Sequence, residues 1–316
     1  MLKPIFIFSL PRSGSTLLQR ILTTSDAVSS AAEPWVLLPF IYTMRPEGVI
    51  SEYWHESAVQ AIKDFYEGSV KGKRGYTNEL SQFALRLYQL RTEESAGYFI
   101  DKTPRYHLIC NEIMDLFPDG KFIFMWRNPL AIVSSIIESW YQGKWKIAIY
   151  YIDLFKGLNS LLTTYLSRNL PVYAIKYENL ILNARGELRQ LCDYIGIAYN
   201  EDMLVSFSNV QLKGSMGDKT GTRKYNTLTK KSLDAWPESF NNPYRRYWAR
   251  KYLDWIGVDH LALMGYDYCE FKRLLYKKNT CNFNVMLSDF AFSLLLYCKM
   301  KISPLSISKG QNLFFK

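Results

Sequence analysis

The stretch FIFSLPRSGSTLLQRIL, residues 6–22, passes from an apolar run through a joint dense in Ser, Gly and Arg, then directly into Leu and Ile at helical spacing. A strand that turns straight into a helix exposes the first helical amides, which have no partners inside the helix. Those N–H groups, the positive end of the helix dipole and the hydroxyls of Ser13, Ser15 and Thr16 make a site for a phosphate-like anion. Gly14 lets the backbone approach the anion, and Arg12 adds charge. An ordinary capped helix start also favours Ser and Thr, so this joint alone does not decide between the two readings. A nucleoside-triphosphate loop would read G-x-x-x-x-G-K-[ST]. Here the first glycine and the lysine are missing, which disfavours magnesium-dependent phosphoryl transfer from ATP.

Outward from this joint, short apolar runs alternate with helical patterns: IFIF (5–8), YFI (98–100), KFIFMW (121–126) and PVYAIKY (171–177). That alternation predicts an α/β fold, a P-loop-like parallel sheet flanked by helices. Residues 52–95 read as two inserted helices forming a wall or lid. The domain is expected to run over 1–275, followed by a basic, partly amphipathic tail over 276–316. KFIFMWRNPLAIVSSIIESW (121–140) repeats the strand-to-helix corner. Arg127 closes the strand, Pro129 suits the first helical turn, and Ser135 lies two turns in. Arg127 and Ser135 could then face one anion at the carboxyl edge of the sheet, where ligands bind in open α/β folds.

PRSGSTLL resembles the 5′-phosphosulfate loop of sulfotransferases that use 3′-phosphoadenosine 5′-phosphosulfate (PAPS), which reads P-[KR]-[ST]-G-[ST]-T. Arg127 to Ser135 is similar to that family's R-[DN]-P-x-x-x-x-x-S, whose Arg and Ser hold the 3′-phosphate. YENL (177–180) resembles its strand-end Y-E-[DQN]-L, which implies that Tyr177 lies near the nucleotide. The resemblance covers roughly residues 5–197 and is nearest to the tyrosylprotein and carbohydrate sulfotransferases. It implies PAPS as co-substrate, 3′,5′-ADP (PAP) as product and no metal. Arg12, Ser13, Gly14, Ser15, Thr16, Arg127, Ser135 and Tyr177 would bind the nucleotide.

Sulfuryl transfer needs a base for the acceptor hydroxyl and positive charge for the departing phosphate. A crossover from the first strand through a helix at 15–24 is expected to deliver a second short strand beside the first, ending near Ala32. Glu33 would then emerge next to the loop, and the resemblance implies that it is the base. Lys102, before FPDGKFIFMWR, corresponds to a lysine that stabilises the transition state in the tyrosylprotein enzymes. Arg12 is expected to share that task, and Arg105 to aid an acidic substrate. A glutamate before a proline turn and a solvated helix-start lysine are the ordinary alternatives. Asp101 and Glu94 read as structural. Lys219, Arg223 and Lys224, within 214–224, are candidates for a loop over the nucleotide. Trp35, Tyr42, Trp54 and Trp140 are candidates for the acceptor site.

The net charge of +10 resembles a polyanion signal, but residues 271–316 carry eight basic side chains against Asp289 alone. The body is therefore only about +3, which argues against a nucleic-acid partner and moves the basicity to the tail. Five cysteines without a CxxC pair favour reduced thiols, and three scattered histidines give no metal spacing. No room for a signal peptide precedes Ile5, so a cytoplasmic location is expected. The expected acceptor is a saccharide or glycolipid hydroxyl, with a peptide tyrosine or a phenol as alternatives. Peripheral membrane contact through the tail and a homodimer are also compatible with the sequence. The rival functions are a P-loop kinase or NTPase and a non-enzymatic polyanion- or membrane-binding protein.

Overall fold

The computed structural model describes residues 2–167, 170–214, 216, 229–277 and 283–302. Its centre is a five-stranded sheet of β1 (Lys3–Ser9), β2 (Val28–Ser30), β3 (Tyr98–Asp101), β4 (Lys121–Trp126) and β5 (Val172–Lys176). The order is β2-β3-β1-β4-β5 and every pairing is parallel. The α/β expectation therefore holds. Ile5 pairs with both Ile100 and Lys121, and Ser9 with Met125, so β1 sits in the middle and its carboxyl end lies beside that of β4.

Side-chain alternation sorts the strands between two cores. Phe6, Phe8, Phe122 and Phe124 point to one face, where Phe6, Phe8 and Phe122 stack at 5.9–6.2 Å, Phe124 meets Phe8 edge-on at 5.3 Å, and all pack under α5 (Cys110–Leu116), α6 (Pro129–Tyr141) and α7 (Leu158–Ser167). Ile5, Ile7, Ile123 and Met125 point to the other, against α1 (Ser15–Leu22), α8 (Tyr177–Leu182) and α9 (Ala184–Ile195). A sheet covered on both faces explains why these strands read as unbroken apolar runs.

The expectation that the second strand lies beside the first is wrong, because β3 occupies that position and β2 pairs with β3 alone. β2 is only the three residues Val28-Ser29-Ser30, and short polar strands suit a sheet edge. β3 buries Phe99, Ile100 and Asp101 and fills the inner slot.

The inserted helices are α3 (His55–Glu67) and α4 (Gly72–Gln89). α4 docks on the sheet through Tyr88, whose ring stacks on Phe99 at 4.7 Å. Later in the chain the Pro243–Ile256 helix packs against the first core, and the Phe283–Ile302 helix lies on it.

Candidate active site

Between β1 and α1 the chain turns through two left-handed residues, Arg12 at φ 67° and Gly14 at φ 90°. α1 starts without a side-chain cap, so its first amides stay available at the sheet edge. Glycine is required at position 14 on two counts. Its φ disfavours any side chain, and a Cβ there would stand 2.4 Å from the Tyr177 ring. Tyr177, the first residue of α8, thereby walls the loop.

The second corner meets the first directly. Arg127, just past β4, donates from Nη1 to the Arg12 carbonyl at 2.6 Å, and its guanidinium lies 4.3 Å over the Tyr177 ring. Arg12 donates from Nε to Ser135 Oγ and from Nη2 to Ser139 Oγ, each at 3.1 Å, and covers Trp140. Arg12, Arg127, Ser135 and Tyr177 thus form one cluster. The Arg12 guanidinium turns towards α6. With its carbonyl held by Arg127, Ser135 and Ser139 are the hydroxyls its side chain meets.

Two residues that sequence reasoning missed fix the second corner. Asn128 caps α6 by accepting from Ala131 N, and its own N–H donates to Glu178 Oε1 at 3.0 Å. The Tyr266 hydroxyl donates to Glu178 Oε2 at 2.6 Å. Burial, reinforced by the neighbouring Glu178 charge, holds this phenol far above its ordinary pKa, so it stays a donor. Glu178 stands next to Tyr177 in the motif already singled out. Tyr266 carries no local signal. Around the two corners, Ser13 Oγ and Arg127 Nε are buried with no hydrogen-bond partner among the described residues. Buried polar atoms are rarely left so, and donors of this kind beside a helix start fit an anionic phosphate.

A third group lies on the β3 side. Lys102 Nζ donates to Glu33 Oε1 at 2.8 Å and to Thr16 Oγ1 at 3.2 Å, with the lysine side chain 2% and the glutamate 11% exposed. The Trp35 indole donates to Glu33 Oε2 at 3.4 Å, while Trp35 N–H donates to Thr103 Oγ1. Although β2 is two positions from β1, the length of Lys102 closes the gap and ties Glu33 to the loop through Thr16. A cleft of about 280 Å³ opens beside Glu33, bounded by Ala31, Ala32, Pro34 and Val36, by Leu87 and Tyr88 of α4 with Arg91 just beyond it, and by Lys213 and Gly214.

Asp101 lies beneath Lys102, fully buried, and accepts from Tyr88, Tyr106 and Thr103 hydroxyls at 2.7, 2.8 and 3.1 Å. Burial outweighs these hydrogen bonds and pushes the carboxyl from 3.8 up to about 6. A carboxyl raised on folding stabilises the fold most below its unfolded pKa and loses that contribution as pH climbs through the folded value. The upward shift from 3.8 to about 6 corresponds to about 3 kcal/mol, lost between pH 4 and 6. In thermal melts, wild type should fall relative to Asp101→Asn over that interval and hold a constant difference above it. A difference independent of pH would contradict the assignment.

The remaining sequence candidates divide. Trp35 and Trp140 join the clusters. Tyr42 closes its short helix against Arg45, and Trp54 stands in solvent at 86% exposure. Arg105 is bound to Asp153 at 3.2 Å, an oxygen that His107 also contacts, so its charge is already matched. Lys219, Arg223 and Lys224 lie outside the described residues; the backbone just before them is held where Ala32 N–H donates to the Lys213 carbonyl. Among the described residues no group of three or more His, Cys, Asp or Glu could hold a metal ion.

Comparison with known proteins gives the following. The family model described as "Sulfotransferase family" matches residues 4–201. The nodulation protein NoeE of Sinorhizobium fredii (strain NBRC 101917 / NGR234) is 23% identical over 290 residues, covering 83% of this chain and 65% of that protein. A putative protein-tyrosine sulfotransferase of Caenorhabditis briggsae is 25% identical over 273 residues, covering 83% and 89%. This chain therefore spans just under two thirds of the first relative and most of the second. The solved sulfotransferase domain of the Synechococcus PCC 7002 olefin synthase is 25% identical at a TM-score of 0.49, covering 74% of this chain and 87% of that one.

Proposed function

Since this chain belongs to the sulfotransferase family, we propose that it transfers the sulfuryl group of PAPS to an acceptor hydroxyl, with the catalytic unit in residues 1–275. The observation that carries the reading is the contact of the two strand-to-helix corners, through Arg127 to the Arg12 carbonyl and Arg12 to Ser135. Two anion sites so joined suit a nucleotide with phosphate on both sides of its ribose. The amides of Gly14, Ser15 and Thr16 and the Ser13 hydroxyl hold the 5′ side. Arg127, Ser135 and Arg12 hold the 3′ side, and Tyr177 packs between them. The unpartnered Ser13 Oγ and Arg127 Nε supply donors that such a ligand satisfies.

When bound, PAPS supplies an electrophilic sulfuryl group on a phosphate leaving group. Glu33 accepts the proton of the acceptor hydroxyl as its oxygen bonds to sulfur. Lys102, buried between Glu33 and Thr16, meets the negative charge that develops as the sulfur–oxygen bond to the phosphate breaks. The contact with Lys102 also holds the Glu33 carboxylate in place beside the cleft. The acceptor enters by the cleft that Glu33 lines. A saccharide or glycolipid hydroxyl is our first reading, with the Trp35 indole beside Glu33 as a platform for a sugar face. A tyrosine phenol is the second, favoured by the names of the protein-tyrosine relatives.

Thermal denaturation tests the nucleotide. At about 100 times its Kd, 3′,5′-ADP without metal should stabilise the protein by about 2.7 kcal/mol, and ADP with Mg²⁺ should do less. A larger effect from ADP with Mg²⁺ would point to a kinase. No effect from either nucleotide would point to a protein that binds through its tail.

A further inference from the structure

The Phe283–Ile302 helix is inverted relative to an ordinary surface helix. Its one acidic residue, Asp289, faces inward, where Arg245 of the Pro243–Ile256 helix grips it with both prongs, Nε to Oδ2 at 2.7 Å and Nη2 to Oδ1 at 3.0 Å. The same guanidinium donates to the Gly143 carbonyl, one turn beyond Ser139 of α6. A buried bidentate pair fixes the helix about its own axis, so the side turned outward is set by the fold. That side presents Phe283, Leu287, Phe290, Leu294 and Leu295, each more than half exposed, and no charged residue among the described side chains. Between Lys278 and Lys299 in the sequence the only side chain charged at neutral pH is Asp289, and lysines stand at 277, 278, 299 and 301.

We propose that this helix is a docking surface for a lipid bilayer with anionic headgroups, lying in the plane of the interface. Among the described residues no helix is long and apolar enough to cross a membrane, and an in-plane helix needs only one apolar side. Lysines at 277, 278, 299 and 301 of the sequence supply the positive charge that acidic headgroups attract. Neutralisation of Asp289 inside the protein removes the one group that such a surface would repel. A second copy pairing helix to helix would call for charged residues flanking the apolar seam, and among the described side chains this seam has none. Docking there leaves α6, which carries Ser135 and Ser139, attached through Gly143 to the element that meets the lipid.

Co-sedimentation of the full chain with vesicles decides the matter. The protein should pellet with phosphatidylcholine vesicles containing 30% phosphatidylserine and bind phosphatidylcholine alone much more weakly. The double substitution Leu287→Glu/Leu294→Glu, at exposed positions, should lower partitioning roughly tenfold or more while the thermal response to 3′,5′-ADP is unchanged. Lys299→Gln/Lys301→Gln should weaken binding to acidic vesicles and lessen its salt dependence. Three results would overturn the proposal: no binding to acidic vesicles, full binding by the double-glutamate variant, or a dimer in sedimentation velocity that this variant splits.

Discussion

Replacement of Glu33 by glutamine should lower turnover at least a hundredfold and leave the affinity for 3′,5′-ADP within about twofold of wild type. Glutamine keeps the shape and an oxygen for Lys102 Nζ, which now contacts Glu33 Oε1 at 2.8 Å. What it loses is the ability to take a proton, and a positioned general base contributes on the order of 10²–10⁴. The loss should fall on kcat, because the group acts on the acceptor oxygen and not on the nucleotide. Lys102→Met serves as the companion variant. It removes the charge that meets the leaving phosphate and strands the carboxylate, so kcat should drop there too. If Glu33→Gln turned over near the normal rate, the Lys102 contact would be a structural ion pair and the base would lie elsewhere.

Arg127→Ala should abolish the preference for 3′,5′-ADP over 5′-AMP. The two nucleotides differ only in the 3′-phosphate, and a hydrogen bond to a charged group contributes about 1.5–3 kcal/mol, or roughly 10- to 100-fold in Kd. Arg127 also supports the Arg12 carbonyl at 2.6 Å, so the variant loosens the first loop as well. The AMP affinity measures that loosening, since AMP retains the 5′-phosphate. The ratio of the two dissociation constants therefore isolates the 3′ contact. An unchanged ratio in isothermal titration would remove Arg127 from the clamp.

The strands were legible because a sheet covered on both faces writes itself as continuous apolar sequence. KFIFMW predicted β4 residue for residue, and IFIF lies within β1. The order of the strands was not legible. β2 is too short and polar to signal its rank, and it is the pairing of Tyr98 with both Val28 and Lys3 that reveals β3 standing between it and β1. At the site, residue types were readable from local spacing, whereas directions and partners were not. The turn of Arg12 towards Ser135 and Ser139 spans more than 120 residues of sequence. The supports from Tyr266 to Glu178 and from Tyr88 and Tyr106 to Asp101 likewise depend on packing between distant elements. Buried polar groups of this kind are set by the need to satisfy every donor and acceptor, a condition that exists only once the chain has folded.

The most direct measurement is a crystal structure of the full chain grown with 3′,5′-ADP. One nucleotide should bridge the corners, its 5′-phosphate on the amides of Gly14–Thr16 within reach of Lys102 and its 3′-phosphate on Arg127 and Ser135. A nucleotide bound in the reverse sense, or touching one corner and leaving the other to solvent, would contradict sulfuryl transfer at Glu33.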